Sequence, residues 1–239
     1  MTHKLSISLL VAALLSLALA GVALAATVVG TRGADTLVGT DGPDQLYGED
    51  GGDSLYAARG SDYVEAGPGA DRVRGGAGAD MLIAGTGVDV VFGDSGEDTV
   101  YAGHGNDRVS GGANDDSLLG QVGNDRLAGD SGADRIWGGA GADHLDGGTG
   151  NDQLTASAGS TVVGGDQDDR ISLFDDGGPV PPLAVGAAPR VRAGSGNDAV
   201  DTRDGRRSSV DCGPGRDRLY ADPGDRAVGC ETRSAAPRR

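Results

Sequence analysis

The sequence repeats itself every nine residues over more than half of its length. From Gly30 to Thr155 it divides without a gap into fourteen consecutive nonapeptides, and the last of them reads GGTGNDQLT. Position four is glycine in thirteen repeats, and the exception is Asn114. Asparagine tolerates the left-handed backbone conformation best after glycine, so the exception also predicts a turn. A fixed short period predicts a solenoid, in which each repeat is one structural unit stacked on its neighbours.

Two further positions of the repeat are constrained. Position eight is always Leu, Val or Ile, from Leu37 to Leu154. One inward aliphatic among positions seven to nine predicts a short strand, and we expect the glycine-rich positions one to six to lie outside strands and helices. Position six is aspartate in every repeat, at Asp35, Asp44, Asp53, Asp62, Asp71, Asp80, Asp89, Asp98, Asp107, Asp116, Asp125, Asp134, Asp143 and Asp152.

The composition excludes several classes of protein. The 239 residues include 45 glycines, and 36 acidic residues outnumber 20 basic ones, for a net charge of −16. This balance argues against nucleic acid as a partner. Composition alone is typical of disorder, so the fixed spacing is what predicts a fold. After the first residues the histidines are His104 and His144; no H-E-x-x-H or G-x-S-x-G motif occurs, and an enzyme is not expected.

The first 25 residues have the layout of a secretory signal peptide. A positive start ending at Lys4 precedes an apolar run from Leu5 to Leu19, and Ala23-Leu24-Ala25 is a small-x-small cleavage site. The alternative is an uncleaved membrane anchor, but the apolar run is short for a membrane span. We therefore expect a secreted, extracellular protein without an integral membrane span after cleavage.

The nonapeptide resembles the G-G-x-G-x-D-x-U-x repeat, where U is aliphatic, of the repeats-in-toxin (RTX) proteins with haemolysin-type calcium-binding repeats. The resemblance implies an all-β, right-handed parallel β-roll, in which two repeats make one coil and calcium lies between turns of successive coils. Each inward aliphatic then stacks on the one eighteen residues away, as Leu37 does on Leu55. The aspartates form two columns of seven, one from Asp35 to Asp143 and the other from Asp44 to Asp152.

The same resemblance implies calcium as the cofactor. The expected ligands are the fourteen position-six aspartates, with Asp169 and Asp198 in later repeats. Seven coils leave six gaps on each side, so at most about twelve ions fit the unbroken block. Without cations the stacked carboxylates repel one another, so we expect calcium to drive folding and the metal-free chain to be largely disordered. The alternative for these aspartates is a metal-free Asx turn.

The period is interrupted after Thr155. Residues 156–163 are one residue short, with Thr161 counted at position six, and residues 164–172 restore the repeat. We predict a main roll at 26–172, a Pro/Gly-rich loop or linker at 173–192, and a cap of degenerate repeats at 193–239.

The two cysteines fall in the predicted cap. Cys212 and Cys230 are eighteen residues apart, which is one coil, and both count as position one. A coil spacing of about 4.8 Å allows a disulfide, which an exported protein favours over two free thiols. Arg226 counts as the next position six, where a cation would end the column and form a cap.

Position nine of the even-numbered repeats forms a mostly apolar stripe. The stripe either covers the thin core or, if it points outward, binds a cell-envelope component, a glycan or a second copy. The sequence thus predicts a secreted calcium-binding β-roll acting as a structural or adhesive module. The alternatives are a glycan- or ice-binding surface protein and the non-catalytic repeat portion of a toxin-like protein. The stripe reads Tyr47, Glu65, Ile83, Tyr101, Leu119, Trp137 and Thr155.

Overall fold

The chain folds into a solenoid of parallel β-strands. The computed structural model describes residues 25–157, 159–174 and 188–234, the last three of these without their side chains. Within these residues the chain forms 23 strands and no helix, and hence no helix of the length and hydropathy that a membrane crossing requires. Successive strands alternate between two parallel sheets. The predicted all-β, parallel β-solenoid is confirmed.

The strands alternate between the sheets in chain order. The twelve-stranded sheet consists of β1 (Thr27–Val29), β3 (Gln45–Tyr47), β5 (Tyr63–Pro68), β7 (Met81–Thr86), β9 (Thr99–His104), β11 (Ser117–Val122), β13 (Arg135–Trp137), β15 (Gln153–Ser157), β17 (Arg170–Phe174), β19 (Ala199–Asp201), β21 (Arg218–Tyr220) and β23 (Thr232–Ser234). The eleven-stranded sheet consists of β2 (Thr36–Val38), β4 (Ser54–Arg59), β6 (Arg72–Ala77), β8 (Val90–Ser95), β10 (Arg108–Ala113), β12 (Arg126–Ser131), β14 (His144–Thr149), β16 (Thr161–Asp166), β18 (Arg190–Ser195), β20 (Ser209–Asp211) and β22 (Arg226–Val228).

Each strand pairs with the strand one coil away, so identical repeat positions lie side by side. Leu37 pairs with Leu55, and Leu82 pairs with Val100, in both cases eighteen residues apart. The position-eight aliphatics are buried and form the core from Leu37 onward. Because the coil is only two strands thick, these stacked side chains are almost the whole apolar interior.

Position one also faces the interior. Where it is alanine, as at Ala57 and Ala84, the side chain is fully buried. The expectation that positions one to six lie outside strands was wrong for positions one to three, because complete strands such as β6 (Arg72–Ala77) run through them. The neighbouring coil presents the same small residues in register, so backbone pairing continues through glycine despite its low strand propensity.

The turns between strands use backbone conformations that favour glycine. Asn114 has a φ of 85°, which confirms the turn predicted from the exception at position four. At Gly69 the reason for glycine is close approach, because a Cβ there would lie 1.4 Å from the carbonyl oxygen of Gly51 in the preceding coil. The turns therefore stack backbone on backbone.

The repeat after Thr155 is one residue shorter than the others, and the missing residue is one of the turn residues. Asp143 N donates to Ser160 Oγ at 3.0 Å, and Thr161 pairs with His144 as the first residue of β16. Ser160, and not Thr161, therefore takes the place of the aspartate. Counting from the start of the repeat gave Thr161 because a deletion before position six shifts every later residue by one.

The roll continues on both sides of the predicted loop at 173–192. Leu173 and Phe174 are the last residues of β17, and Arg190 to Arg192 are the first residues of β18. β18 pairs directly with β16, as β16 does with β14. Residues 175–187 of the predicted loop lie outside the described residues. Residues 1–24 of the predicted signal peptide lie outside them too.

A disulfide joins Cys212 to Cys230 in the C-terminal region, with a Cα–Cα distance of 5.2 Å. Asp225, and not Arg226, occupies the position-six place there, since Ser208 N donates to Asp225 Oδ1 at 2.8 Å and Arg226 is the first residue of β22. The physical reason is again a lost residue, because this coil has a spacing of seventeen between Ser208 and Asp225.

The position-nine stripe lies on the outer face of the twelve-stranded sheet. Ile83 pairs with Tyr101, and Leu119 pairs with Trp137. Trp137 is 53% exposed, and the other apolar members of the stripe are half-buried. The stripe therefore points outward as a continuous row.

Candidate metal centre

The position-six aspartates form two columns, one along each edge of the solenoid. In each column the backbone N–H of one aspartate donates to Oδ1 of the aspartate in the next coil. Asp80 N donates to Asp98 Oδ1 at 2.8 Å, and Asp89 N donates to Asp107 Oδ1 at 2.9 Å. Each carboxylate therefore caps the turn of the coil before it, and the like charges repeat at the strand spacing of about 4.8 Å.

The column that begins at Asp44, which we call the long column, extends beyond the unbroken repeats. Asp152 N donates to Asp169 Oδ1 at 2.9 Å, and Asp169 N donates to Asp198 Oδ1 at 2.9 Å across a sequence separation of 29. Both later candidates thus join the column. It then continues through Asp198 N to Asp217 Oδ1 at 3.0 Å and Asp217 N to Glu231 Oε2 at 2.6 Å.

Sequence reasoning did not include Asp217 and Glu231 among the candidate ligands. The signal for Asp217 was the segment Gly213-Pro214-Gly215-Arg216-Asp217, which keeps the turn glycine and the aspartate. Glu231 carried no signal, because its longer side chain departs from the repeat.

The column that begins at Asp35, the short column, ends at Ser160. Asp143 is its last carboxylate in the unbroken series, and the serine hydroxyl replaces the next one. The hydroxyl satisfies the amide without adding charge, so the two edges of the solenoid differ in charge beyond this coil.

The second carboxylate oxygen of the column members is buried without a partner. Asp35 and Asp44 differ, because Thr31 and Thr40 each donate a hydroxyl and a backbone N–H to their Oδ2. Among the described residues, a buried Oδ2 without a hydrogen bond occurs in the columns at Asp53, Asp62, Asp71, Asp80, Asp89, Asp98, Asp107, Asp116, Asp125, Asp134, Asp143, Asp152, Asp169 and Asp198.

Burial raises the pKa of carboxyls in both columns. Burial is the largest cause, the hydrogen bond from the backbone N–H of the preceding coil lowers the pKa, and nearby carboxylates raise it in most cases. The pKa rises to about 7 for Asp80, Asp116, Asp125 and Asp169, and to about 6 for Asp89, Asp98 and Asp134.

The space between stacked turns presents oxygen atoms. A Cβ placed on Gly69 would lie 1.4 Å from the Gly51 carbonyl oxygen and 2.8 Å from Asp71 Oδ1, so both oxygens border the same point. Within the described part of the chain, no three His, Cys, Asp or Glu side chains converge as a metal cluster. A cation there would be bound by one or two carboxylates and by backbone carbonyls, a donor set that suits calcium.

The fold and the site together define the class of protein. It is an acidic parallel β-solenoid of nine-residue repeats, with carboxylates and carbonyl oxygens stacked in its turns. The family of RTX calcium-binding nonapeptide repeats matches this chain at residues 29–64, 56–91, 65–100, 83–118 and 119–154. The chain belongs to that family and is a calcium-binding repeat protein. A comparison with curated proteins found no match.

Proposed function

We propose that the protein is a secreted, non-catalytic β-roll whose folding is driven by calcium and which serves as a structural or adhesive module outside the cell. The observation that carries the proposal is the buried, unpartnered Oδ2 repeated along both columns. Two unit charges one strand spacing apart repel by about 3 kcal/mol at an effective dielectric constant of about 20. Cations that enter the turns would replace this repulsion with attraction.

The proposed ligands are the position-six aspartates of the unbroken repeats, with Asp169 and Asp198 in the long column. Asp35 and Asp44 end their columns, and their Oδ2 atoms already accept hydrogen bonds from threonine. A calcium ion at one of them would have to compete with that hydroxyl. Calcium supplies positive charge, and the chain supplies oxygen ligands held in register by the sheets. At most about twelve ions would fit the unbroken block.

Secretion is supported by two features. The first 25 residues have the pattern of a signal peptide, and Cys212 is joined to Cys230 by a disulfide, which persists in oxidising compartments. Calcium is also abundant outside cells, where weak extracellular sites bind at about 10⁻⁴ to 10⁻³ M.

The test is far-UV circular dichroism of residues 26–239 after chelation, titrated with calcium and, as the control, with magnesium. We expect a cooperative gain of β signal with calcium alone. A spectrum that is already β-rich at neutral pH in chelator, and that calcium does not change, would refute calcium-driven folding and leave a metal-independent solenoid.

The adhesive role is supported by the position-nine stripe on the twelve-stranded sheet. It is a row of outward apolar side chains, and the Trp137 ring also contacts Phe174 edge-on with centroids 5.8 Å apart. A cell-envelope component, a glycan or a second copy would bury this row.

The stripe is tested by replacing Tyr101 and Trp137 with Ser in the calcium-loaded protein. We expect folding by circular dichroism to be retained and self-association, measured by sedimentation velocity, to fall. Loss of folding with unchanged self-association would show that the stripe covers the core and does not bind a partner.

A further inference from the structure

A cavity on the outer face of the eleven-stranded sheet is lined by three arginines. Arg190 and Arg226 are the first residues of β18 and β22, and Ser209, the first residue of β20, pairs with both of them. The three exposed side chains therefore form a row on neighbouring strands, with the serine in the middle. Arg207, in the loop before β20, lines the same cavity, which has a volume of about 390 Å³. We call it the arginine cavity.

Gly224 places Arg207 at this cavity. A Cβ built on Gly224 would lie 3.1 Å from Cγ and 3.5 Å from Nε of Arg207, so the arginine side chain packs against the backbone at this glycine. Gly224 also lines the cavity and lies just before β22 in the chain. The loop arginine is therefore brought next to the strand that begins with Arg226.

The three arginines have no carboxylate partner in the part of the chain that the structure describes. No ion pair there includes Arg190, Arg207 or Arg226, and no described carboxylate lines the cavity. Three positive charges therefore surround one space without a counter-charge in its wall, although the chain as a whole has a net charge of −16. Like charges around a shared space repel, and an anion within it would remove this repulsion.

The acidic residues of the same coils lie outside the wall of the cavity. Asp222 and Asp225 accept hydrogen bonds from backbone N–H groups of the loop at 202–208. Asp201 forms an ion pair with Arg203. The acidic residues between positions 199 and 228, none of which lines the cavity, are Asp201, Asp204, Asp211, Asp217, Asp222 and Asp225.

Three guanidinium groups and a hydroxyl suit an anion with several oxygen atoms. Guanidinium groups bind phosphate and carboxylate oxygens in pairs, and a serine hydroxyl is a further donor. A carboxylate has two oxygens, which one guanidinium can satisfy. A phosphate monoester has three terminal oxygens and a charge of about −1.5 to −2 at pH 7, so it can use all three arginines. The volume of the cavity falls in the range of about 300–1,000 Å³ that is typical of small-ligand sites.

We propose that the arginine cavity binds a phosphate or sulfate group. Arg190 and Arg226 bind its oxygens from the two outer strands, the Ser209 hydroxyl donates between them, and Arg207 binds from the loop. The bound group would join β18 and β22 to the loop before β20. The site is separate from the aspartate columns and from the position-nine stripe, which lies on the other sheet.

The experiment titrates the calcium-loaded protein, residues 26–239, with sulfate and with glycerol phosphate, and follows backbone amides by heteronuclear NMR. Glycerol is the neutral control. We expect saturable shifts of the amides at 190, 207–209 and 224–226 with both anions and none with glycerol. Tighter binding of glycerol phosphate than of sulfate would identify an anionic group on an organic carrier as the ligand, and equal binding would identify the free anion.

Two variants remove one charge each from the cavity. Arg207→Gln and Arg226→Gln should weaken binding of both anions by about tenfold or more, because hydrogen bonds between charged groups are lost. Arg135→Gln is the matched control, because Arg135 is exposed at the first residue of β13 on the other sheet. It removes the same charge and should bind both anions as the wild type does. Circular dichroism checks that each variant is folded.

Two results would overturn the proposal. One is the absence of saturable shifts in the wild type with either anion. The other is an equal loss of binding in Arg207→Gln and Arg135→Gln, because the protein would then respond to net charge and not to the cavity. Neither result bears on calcium-driven folding, since the calcium concentration stays constant throughout the titration.

Discussion

In the absence of calcium, acid should fold the roll and neutral pH should unfold it. In the middle of the columns, the folded-state pKa is about 7 for Asp116 and Asp125 and about 6 for Asp134, against 3.8 for the free side chain. A group whose pKa is raised by folding binds more protons in the folded state, so its contribution to stability is full below about pH 4. That contribution is lost as the pH rises from about 4 to about 7.

The size of the effect follows from the pKa values. A carboxyl whose pKa rises from 3.8 to about 7, such as Asp116 or Asp125, destabilises the fold by about 4 kcal/mol at neutral pH. Two of them together cost about 8 kcal/mol, which is comparable with the entire stability of a typical domain, about 5–15 kcal/mol. The metal-free roll should therefore be folded near pH 4 and largely unfolded by pH 7.5.

The assay is circular dichroism in chelator from pH 4 to pH 8, with the wild type and one matched pair of variants. Asp116→Asn removes a buried column charge and should raise the metal-free β signal at pH 7 while increasing the calcium concentration needed for saturation. Asp115→Asn removes an exposed charge from the neighbouring residue, and its amide oxygen can still accept the hydrogen bond from Ala133 N. It should follow the wild type.

Two results would refute the reasoning. One is a metal-free β signal that stays constant from pH 4 to pH 8, because the buried carboxyls would then not control folding. The other is an equal response of the two variants, because burial of the charge would then make no difference.

Three further experiments test backbone strain, the core and the cap. Ala58 has a φ of 88°, so Ala58→Gly should stabilise the calcium-loaded roll by about 1 kcal/mol in urea unfolding, whereas Ala57→Gly, at a buried position with ordinary φ, should destabilise it. Equal effects would show that φ is not the cause. Leu118→Ala removes a fully buried side chain and should cost about 2–5 kcal/mol by the same measurement; a loss below about 1 kcal/mol would mean that the core is not limiting. Reduction of the Cys212–Cys230 bond, which closes a loop of eighteen residues, should lower stability by about 3 kcal/mol, and no change would exclude the disulfide as a staple.

The nine-residue period predicted the inward aliphatics, and the resemblance to RTX repeats implied the coil of two repeats and the two aspartate columns. These follow from local rules that act identically in each repeat, so a single correct frame fixes all of them. Asn114 is an example. It replaces the usual glycine at position four, and the left-handed backbone conformation predicted for it is the one observed.

Errors arose where a residue had been lost from a turn. Counting along the chain placed Thr161 and Arg226 at position six, whereas strand pairing placed Ser160 and Asp225 there. Pairing with the preceding coil sets the frame, because the strand must keep its aliphatic inward while the turn can shorten. That information lies in the neighbouring coil and cannot be obtained by counting within one repeat.

The hydrogen bonds along the aspartate columns all point the same way. Each amide donates to a side-chain oxygen that comes later in the chain; in the long column the bonds run from Asp44 N to Asp62 Oδ1 at one end to Asp217 N to Glu231 Oε2 at the other. In the unbroken repeats, a chain that emerges from a ribosome or an export channel with its N-terminus first therefore cannot form a column hydrogen bond until eighteen more residues have emerged, and the bond from Asp169 N to Asp198 Oδ1 requires 29. Each column hydrogen bond therefore forms only after the next coil has emerged, and the last bond of the long column forms only after Glu231 has emerged.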